Sequence, residues 1–246
     1  MSKPLTDKIA LVTGASRGIG AALALELARA GAHVIAVART TGGLEELDDK
    51  IKAEGGSATL VPLDIKDSDG IARLALAINE RYQRLDIMVG NAGLLGTLSP
   101  LAHVEPKLWA DIFAVNVTAN WQLIRTMDPL LQRAPAGRAV FITSGLSWMA
   151  QADTGAYAAT KAALDAMARV YAAETAATNV RVNLFGPGQT RTRMLASGWP
   201  GLDMDKIPAA EDVAKAIVPL CLPSCNETGR LYNYRDGKFL DFRTPA

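Results

Sequence analysis

Cysteine is nearly missing from this chain of 246 residues, which carries only Cys221 and Cys225. A small disulfide-stapled secreted fold uses more, so a reducing, cytoplasmic setting is expected. Histidine is equally scarce, with His33 and His103 alone. A Cys/His metal site therefore lacks ligands, and no metal is expected. Net charge is close to zero as well, with 26 Lys and Arg against 25 Asp and Glu. That balance removes the electrostatic footprint through which nucleic acid or an anionic membrane is usually bound. No stretch approaches the roughly 20 apolar residues of a membrane span, and the first eight residues, MSKPLTDK, lack the apolar centre of a secretory signal. What is present is core material: 49% hydrophobic residues against 21% charged, too apolar for disorder.

The apolar residues are arranged in alternating short and long blocks. Continuous β-rich runs at 8–13, 33–38, 57–63, 86–90, 139–143, 181–185 and 230–234 predict strands. Helical patterns at 19–30, 43–54, 68–82, 106–133, 155–177 and 210–220 fall between or after them. Strands that are apolar throughout, joined by helices, indicate a parallel sheet covered on both faces. No linker or repeat divides the chain. The expectation is α/β, one doubly wound Rossmann domain over residues 1–246.

The first strand runs into Thr13-Gly14-Ala15-Ser16-Arg17-Gly18-Ile19-Gly20, which opens a helix. Glycines let the chain turn sharply and let a diphosphate reach the helix N-terminus, where free N–H groups and the dipole stabilise an anion. The spacing is G-x-x-x-G-x-G, without the Gly-Lys-Ser/Thr of a P-loop, so a dinucleotide is favoured over nucleotide hydrolysis. The second strand ends at Ala38 and is followed by Arg39. A carboxylate there would bind the ribose hydroxyls of NAD and repel a 2′-phosphate. Arg39 and Arg17 instead present two guanidiniums suited to a phosphate. The cofactor expected is NADP(H).

Tyr157-Ala-Ala-Thr-Lys161 puts a phenol and an ammonium one turn apart on one helix face. Ser144 lies thirteen positions upstream, just after a predicted strand. Reduction of a carbonyl needs a proton donor for the oxygen that turns negative as hydride arrives. A tyrosine pKa near 10 is too high for ready exchange at neutrality, and a unit charge about 4 Å away offsets roughly 4 kcal/mol at an effective dielectric of 20. Lys161 is therefore expected to lower the phenol, while Ser144 hydrogen-bonds the substrate oxygen. No Gly-x-Ser-x-Gly elbow is present, which removes the hydrolase reading.

Taken in order, these motifs and several more resemble the single-domain branch of the short-chain dehydrogenase/reductases over essentially the whole chain. The additional marks are Asp64 after the third strand, Asn91-Ala92-Gly93 after the fourth, Asn116 in the long helix, and Asn183-x-x-x-Pro187-Gly188. The resemblance implies a seven-stranded parallel sheet and a catalytic set of Asn116, Ser144, Tyr157 and Lys161. It implies that Asn116 supports a water-linked proton relay to Lys161, which also holds the nicotinamide ribose. Asp64 and Ile65 would lie against adenine, Asn91 near the adjoining ribose, and Pro187, Gly188 and Thr192 on the nicotinamide side. The cofactor turn would comprise Gly14, Ser16, Arg17, Gly18, Ile19 and Gly20. The lesser alternatives are that Asn116 is only a helix kink and Asp64 only a cap for the helix after the third strand. Two departures stand out: Gly90, where many relatives have a second asparagine, and a single glycine, Gly237, after Asp236.

The function expected is interconversion of a carbonyl and an alcohol on a small molecule. The alternatives are epimerisation or dehydration on the same scaffold, and a non-catalytic NADPH sensor. Leu94, Leu95, Leu146, Trp148, Met149, Met194, Leu195 and Trp199 make an apolar substrate lining plausible. Arg191 and Arg193 either meet an anionic group, touch cofactor phosphates or face solvent. A substrate loop or lid is expected at about 188–208. The small apolar residues around Tyr157, with the resemblance, imply a helix that packs on its own copy, in a homodimer or homotetramer.

Overall fold

The computed structural model describes residues 3–242. Five-residue strand β1 (Ile9–Thr13) is buried along its whole length. It is flanked by β2 (His33–Ala38) and β4 (Ile87–Gly90), with β3 (Ser57–Pro62) outside β2. On the other side follow β5 (Arg138–Ile142), β6 (Arg181–Gly186), β7 (Leu231–Asn233) and β8 (Lys238–Leu240). The order is β3-β2-β1-β4-β5-β6-β7-β8, so the chain reverses its winding between β1 and β4. That switch point is where an open α/β sheet leaves a crevice at the strand C-termini.

The sheet has eight strands, not the seven expected. Seven are parallel; β8 is antiparallel to β7, with Tyr232 opposite Phe239. A three-residue, partly exposed strand has too little pattern to be read from sequence. Its turn closes on Gly237, whose φ of 61° favours glycine. Beyond its own pairing, β8 covers the edge that β7 would leave open.

Side chains alternate across the strands and build two cores. Ala10, Val12, Val34 and Ala36 pack against α1 (Gly18–Arg29), α2 (Thr41–Ala53) and α8 (Ala210–Cys221). Ile9, Leu11, Met88 and Phe141 pack on the other face, against α3 (Ser68–Tyr82), α5 (Ala119–Arg133) and α6 (Gly155–Glu174). Asp86 is buried at the bottom of β4, where Lys8 and Arg84 and the backbone N–H of Ile9 satisfy it. Its role is structural.

The helix predicted over 106–133 is broken. α4 (Pro106–Phe113) leads into a π-helical turn, Ala114–Thr118, before α5 resumes. Such single-turn π insertions often mark functional sites, and this one carries Asn116.

The Gly90 departure has a packing cause. A Cβ on Gly90 would strike the Asn120 amide oxygen and come within 2.6 Å of the Phe141 ring. Asn120 is buried and donates to the Asn116 carbonyl at 2.9 Å. The strand has given up its side chain to admit an asparagine from α5. Gly90→Ala is expected to destabilise by about 1–3 kcal/mol through overpacking, read as a lower urea midpoint; an unchanged midpoint contradicts this account.

Candidate active site

The glycine turn and the β4 loop fit into each other. Gly14 and Gly18 have φ of 67° and 57°. A Cβ on Gly14 would lie 2.9 Å from the Asn91 amide nitrogen and 3.0 Å from Ala92 Cα, and one on Gly20 would strike the Gly14 carbonyl and Asn91. The third residue, Gly18, faces the Thr192 methyl at 3.3 Å. Thus the turn, Asn91-Ala92 and Thr192 form one cradle at the switch point. At the entrance of α1 no side chain caps the helix, and its first turn holds no acidic residue. Its N-terminal N–H groups and dipole are available to an anion. The diphosphate of a dinucleotide fits this arrangement.

Asn91 is tied to the glycine turn. Its side-chain amide donates to the carbonyls of Thr13 at 2.8 Å and Gly14 at 3.4 Å. Thr13 in turn accepts the backbone N–H groups of Asn91 and Ala92, both at 3.0 Å. Asn91 therefore shapes the turn. Asp64 accepts from the N–H of Lys66 at 3.0 Å, and the helix cap is Asp67, which accepts from Gly70. Ile65 is buried in the α3-side core. Ser16 packs against Gly43 of α2, and Ile19 is half-buried. Arg17 and Arg39 are both exposed, and neither joins the ion pairs found among the described residues.

The four expected catalytic residues converge from three elements: the turn after β5, α6 and the π turn. Ser144 follows β5 and opens a 3₁₀ turn, Gly145–Ser147, where its Oγ accepts from Leu146 N–H at 3.2 Å. Tyr157 and Lys161 share the buried face of α6. Lys161 Nζ donates to the Ile142 carbonyl at 2.8 Å, on the last residue of β5. Asn116 is fully buried: its Oδ1 accepts from Leu94 N–H at 2.8 Å. Its Nδ2 donates to Leu94 O at 3.0 Å and to Thr160 Oγ1 at 2.9 Å. The residue is thus more than a kink, since it ties the β4 loop to the helix that carries Tyr157. Gly93 sits between: a Cβ there would lie 3.6 Å from Asn116 Oδ1 and 3.9 Å from Lys161 Nζ.

The electrostatics depart from expectation in one respect. Burial pushes the Tyr157 phenol up to about 12, opposed only by its hydrogen bond with Ser144. Burial outweighs the nearby cation Lys161, whose Nζ donates to the Ile142 carbonyl and lies 5.6 Å from the ring centroid. Burial lowers Lys161 itself to about 8, with Asp165 opposing.

A lysine whose folded pKa lies below its unfolded value destabilises the fold where it is charged. The penalty is complete below pH 8 and disappears as pH rises from about 8 through the ordinary value of 10.5. The shift corresponds to about 3 kcal/mol, partly offset in Lys161→Met by stranding the Ile142 carbonyl, about 1–3 kcal/mol. Lys161→Met is expected to unfold at a higher urea concentration than the parent at pH 7, with the gap closing by pH 10. A lower midpoint at pH 7 contradicts the assignment.

The mouth of the site is apolar. Trp148 and Met149 follow Ser144, Met194 lies on α7 (Arg193–Gly198), and Leu101 lies against Gly155 at the start of α6; all four are exposed. Beside Tyr157 a small cavity is lined by Leu95, Leu98, Val104 and Ala156. A larger, polar pocket around Asn79 and Arg84 lies at the N-terminal end of β4, away from this chemistry. Pro187 is buried, and Gly188 turns the chain with φ of 66°. Thr192 caps α7 by accepting from Leu195 N–H. Residues 191–209 leave and return to one point, where Arg191 N–H donates to Pro208 O at 2.9 Å and Arg191 bridges to Ala209. Arg191 pairs with Asp205 at 3.7 Å, and Arg193 is exposed.

A Rossmann crevice with a Ser, Tyr, Lys and Asn cluster at its switch point defines a class of oxidoreductase. The short chain dehydrogenase family model matches residues 8–202, and the chain belongs to that family. It is 38% identical to the oxidoreductase YciK of Escherichia coli K12, over 95% of this chain and 94% of that protein. It is also similar to a short chain dehydrogenase of Shigella flexneri solved with NADP, at a TM-score of 0.89 and 36% identity, over 96% of this chain and all of the other. A structure from E. coli CFT073 complexed with NADPH has a TM-score of 0.86 and 36% identity, covering 95% and 98%.

Two features of the site escape sequence reading. Asn120 gives no motif, and only the odd glycine at 90 hints at it. Asp165, one turn beyond Lys161, belongs to no motif, and its burial appears only once the helix is docked.

Proposed function

We propose that this protein is an NADP(H)-dependent reductase or dehydrogenase that interconverts a carbonyl and an alcohol on a small, largely apolar molecule. The observation that carries this reading is the convergence of Ser144, Tyr157, Lys161 and Asn116 beside a glycine cradle able to hold a dinucleotide. The NADP- and NADPH-bound relatives support the cofactor choice, as do the exposed Arg17 and Arg39. Gly14, Gly18 and Gly20 would admit the diphosphate, and Pro187, Gly188 and Thr192 would border the nicotinamide. When bound, that group supplies or takes up the hydride.

The chain's own residues manage the proton. Tyr157 gives its phenolic proton to the substrate oxygen as negative charge develops there. Ser144, already beside the phenol, orients that oxygen and stabilises the phenolate that remains. Lys161 places a positive charge in a buried site, where electrostatic stabilisation is strongest, and its titration near neutrality lets it return a proton. Asn116 fixes the β4 loop against α6 and lines the path to Lys161. Trp148, Met149 and Met194, exposed at the mouth, offer apolar surface to the substrate.

The test is a panel of ketones and aldehydes assayed with NADPH and with NADH. Stoichiometric NADPH oxidation is the expected result, with apolar carbonyls preferred over charged ones. Conversion of a substrate without net NADPH consumption would favour epimerisation or dehydration, and tight binding without turnover of any member would favour a sensor.

A further inference from the structure

Asp165 is a buried carboxylate that the chemistry above does not use. It is 6% exposed, on the same face of α6 as Tyr157 and Lys161, at successive four-residue steps. Burying a carboxylate is costly unless donors and a cation compensate it. Its donors are hydroxyls: Thr143 Oγ1 on one oxygen, and Ser147 Oγ on the other at 2.6 Å. Those residues bracket Ser144. Thr143 precedes it, just after β5, and Ser147 closes the 3₁₀ turn that Ser144 opens. One carboxylate therefore pins both ends of the segment that aims the Ser144 hydroxyl.

The charge also needs an explanation. The cations acting on Asp165 are Lys161 and Arg169, and Arg169 is exposed, with its guanidinium over the Phe242 ring. From the elements packed on α6, β6 brings neutral Asn183 and, at its N-terminal end, Arg181, whose guanidinium donates to the Thr178 and Val180 carbonyls; the π turn brings neutral Asn116; on α4 Asp111 is paired with Lys66 and Lys107 is exposed. Among the described residues, Lys161 is thus the buried cation with which this carboxylate is matched. An asparagine would fill the space, but it offers one acceptor where two hydroxyls need two, and no charge.

We propose that Asp165 is a positioning residue of this site: it fixes the segment carrying Ser144 and holds the neighbouring Lys161 ammonium in its charged form. The proposal rests on the reductase reading for its kinetic consequences. Its electrostatic half stands on the fold alone.

Three variants test it: Asp165→Asn, Asp165→Glu and Ser147→Ala. The first measurement is an NMR titration of lysine ¹³Cε-labelled protein, with the Lys161 signal assigned by its loss in Lys161→Arg. Loss of a carboxylate one helical turn from Lys161 is expected to move the Lys161 titration about one to two pH units lower. Asp165→Glu restores it. With NADPH and the best carbonyl of the panel, the alkaline limb of kcat/KM moves down with it in Asp165→Asn, and kcat falls about tenfold. Ser147→Ala keeps the charge, so it lowers kcat several-fold while the limb stays in place. An unmoved Lys161 titration and an unmoved limb, with only thermal stability reduced, overturn the proposal. Should Asp165→Asn fail to fold, a wild-type kcat in Ser147→Ala overturns the positioning half, and a titration that Asp165→Glu leaves at the same pH supports the electrostatic half, whereas one lowered as by charge loss overturns it. Absence of NADPH turnover in the parent protein refutes the reductase reading alone, since the titration is read without substrate.

Discussion

Tyr157→Phe is expected to lower kcat for carbonyl reduction by about 10²–10⁴-fold while leaving NADPH affinity within a few-fold of the parent. The change removes one oxygen from a helix face whose other members stay in place. Asn116 remains tied to Leu94 and Thr160, and Lys161 to the Ile142 carbonyl. The ring itself is 9% exposed and keeps its packing, so little stability is lost. What disappears is the proton that the substrate oxygen must receive. Burial holds the phenol near 12 and Lys161 near 8, which means the protein without ligand keeps Tyr157 protonated throughout the physiological range. That is the form needed to act as an acid. In the reverse direction the phenol must first lose its proton, so alcohol oxidation is expected to rise with pH where reduction does not. Steady-state rates in both directions, with cofactor binding followed by tryptophan fluorescence, check each part. Activity of Tyr157→Phe within threefold of the parent would remove Tyr157 from the mechanism.

The features legible in the sequence are those whose chemistry is local. Gly14, Gly18 and Gly20 announce a tight turn because only glycine meets the φ values and the close approaches required there. Tyr157 and Lys161 declare a shared helix face through their spacing alone. The parallel sheet follows from strands such as β1 that are apolar at every position. What stayed hidden depends on partners far away in the chain. Asn120 is meaningful only once α5 lies over β4 and Gly90 makes room for it. The hold of Asn91 on the turn shows only once its amide is seen bonded to Thr13 and Gly14. The direction of the phenol's shift stayed hidden too: spacing puts Lys161 near Tyr157, but only the packed fold shows the burial that raises the phenol and the Ile142 carbonyl that takes the ammonium. The hairpin strand β8 carries three residues and takes its stability from Tyr232 and Phe239 meeting edge to face at 5.2 Å.

Replacing both Arg17 and Arg39, as Arg17→Ser with Arg39→Asp, is expected to reduce kcat/KM with NADPH by about 10²–10³-fold and to leave or improve that with NADH. Each guanidinium is exposed, so its hydrogen bond to a 2′-phosphate is screened and worth about 1–2 kcal/mol, toward the low end for charged pairs. Two of them account for roughly a hundredfold. The introduced carboxylate at the end of β2 adds repulsion toward a 2′-phosphate and a hydrogen-bond acceptor for the ribose hydroxyls of NADH. Because both arginines lie apart from the catalytic cluster, the loss should fall on KM for NADPH and leave kcat near the parent value. Salt supplies an independent check. KM for NADPH in the parent protein should rise with ionic strength more steeply than KM for NADH, and the double variant should lose that difference. If the two cofactors respond to salt and to the substitutions alike, the arginines are solvated surface charges, and selectivity must come from the backbone of the turn between Gly14 and Gly20.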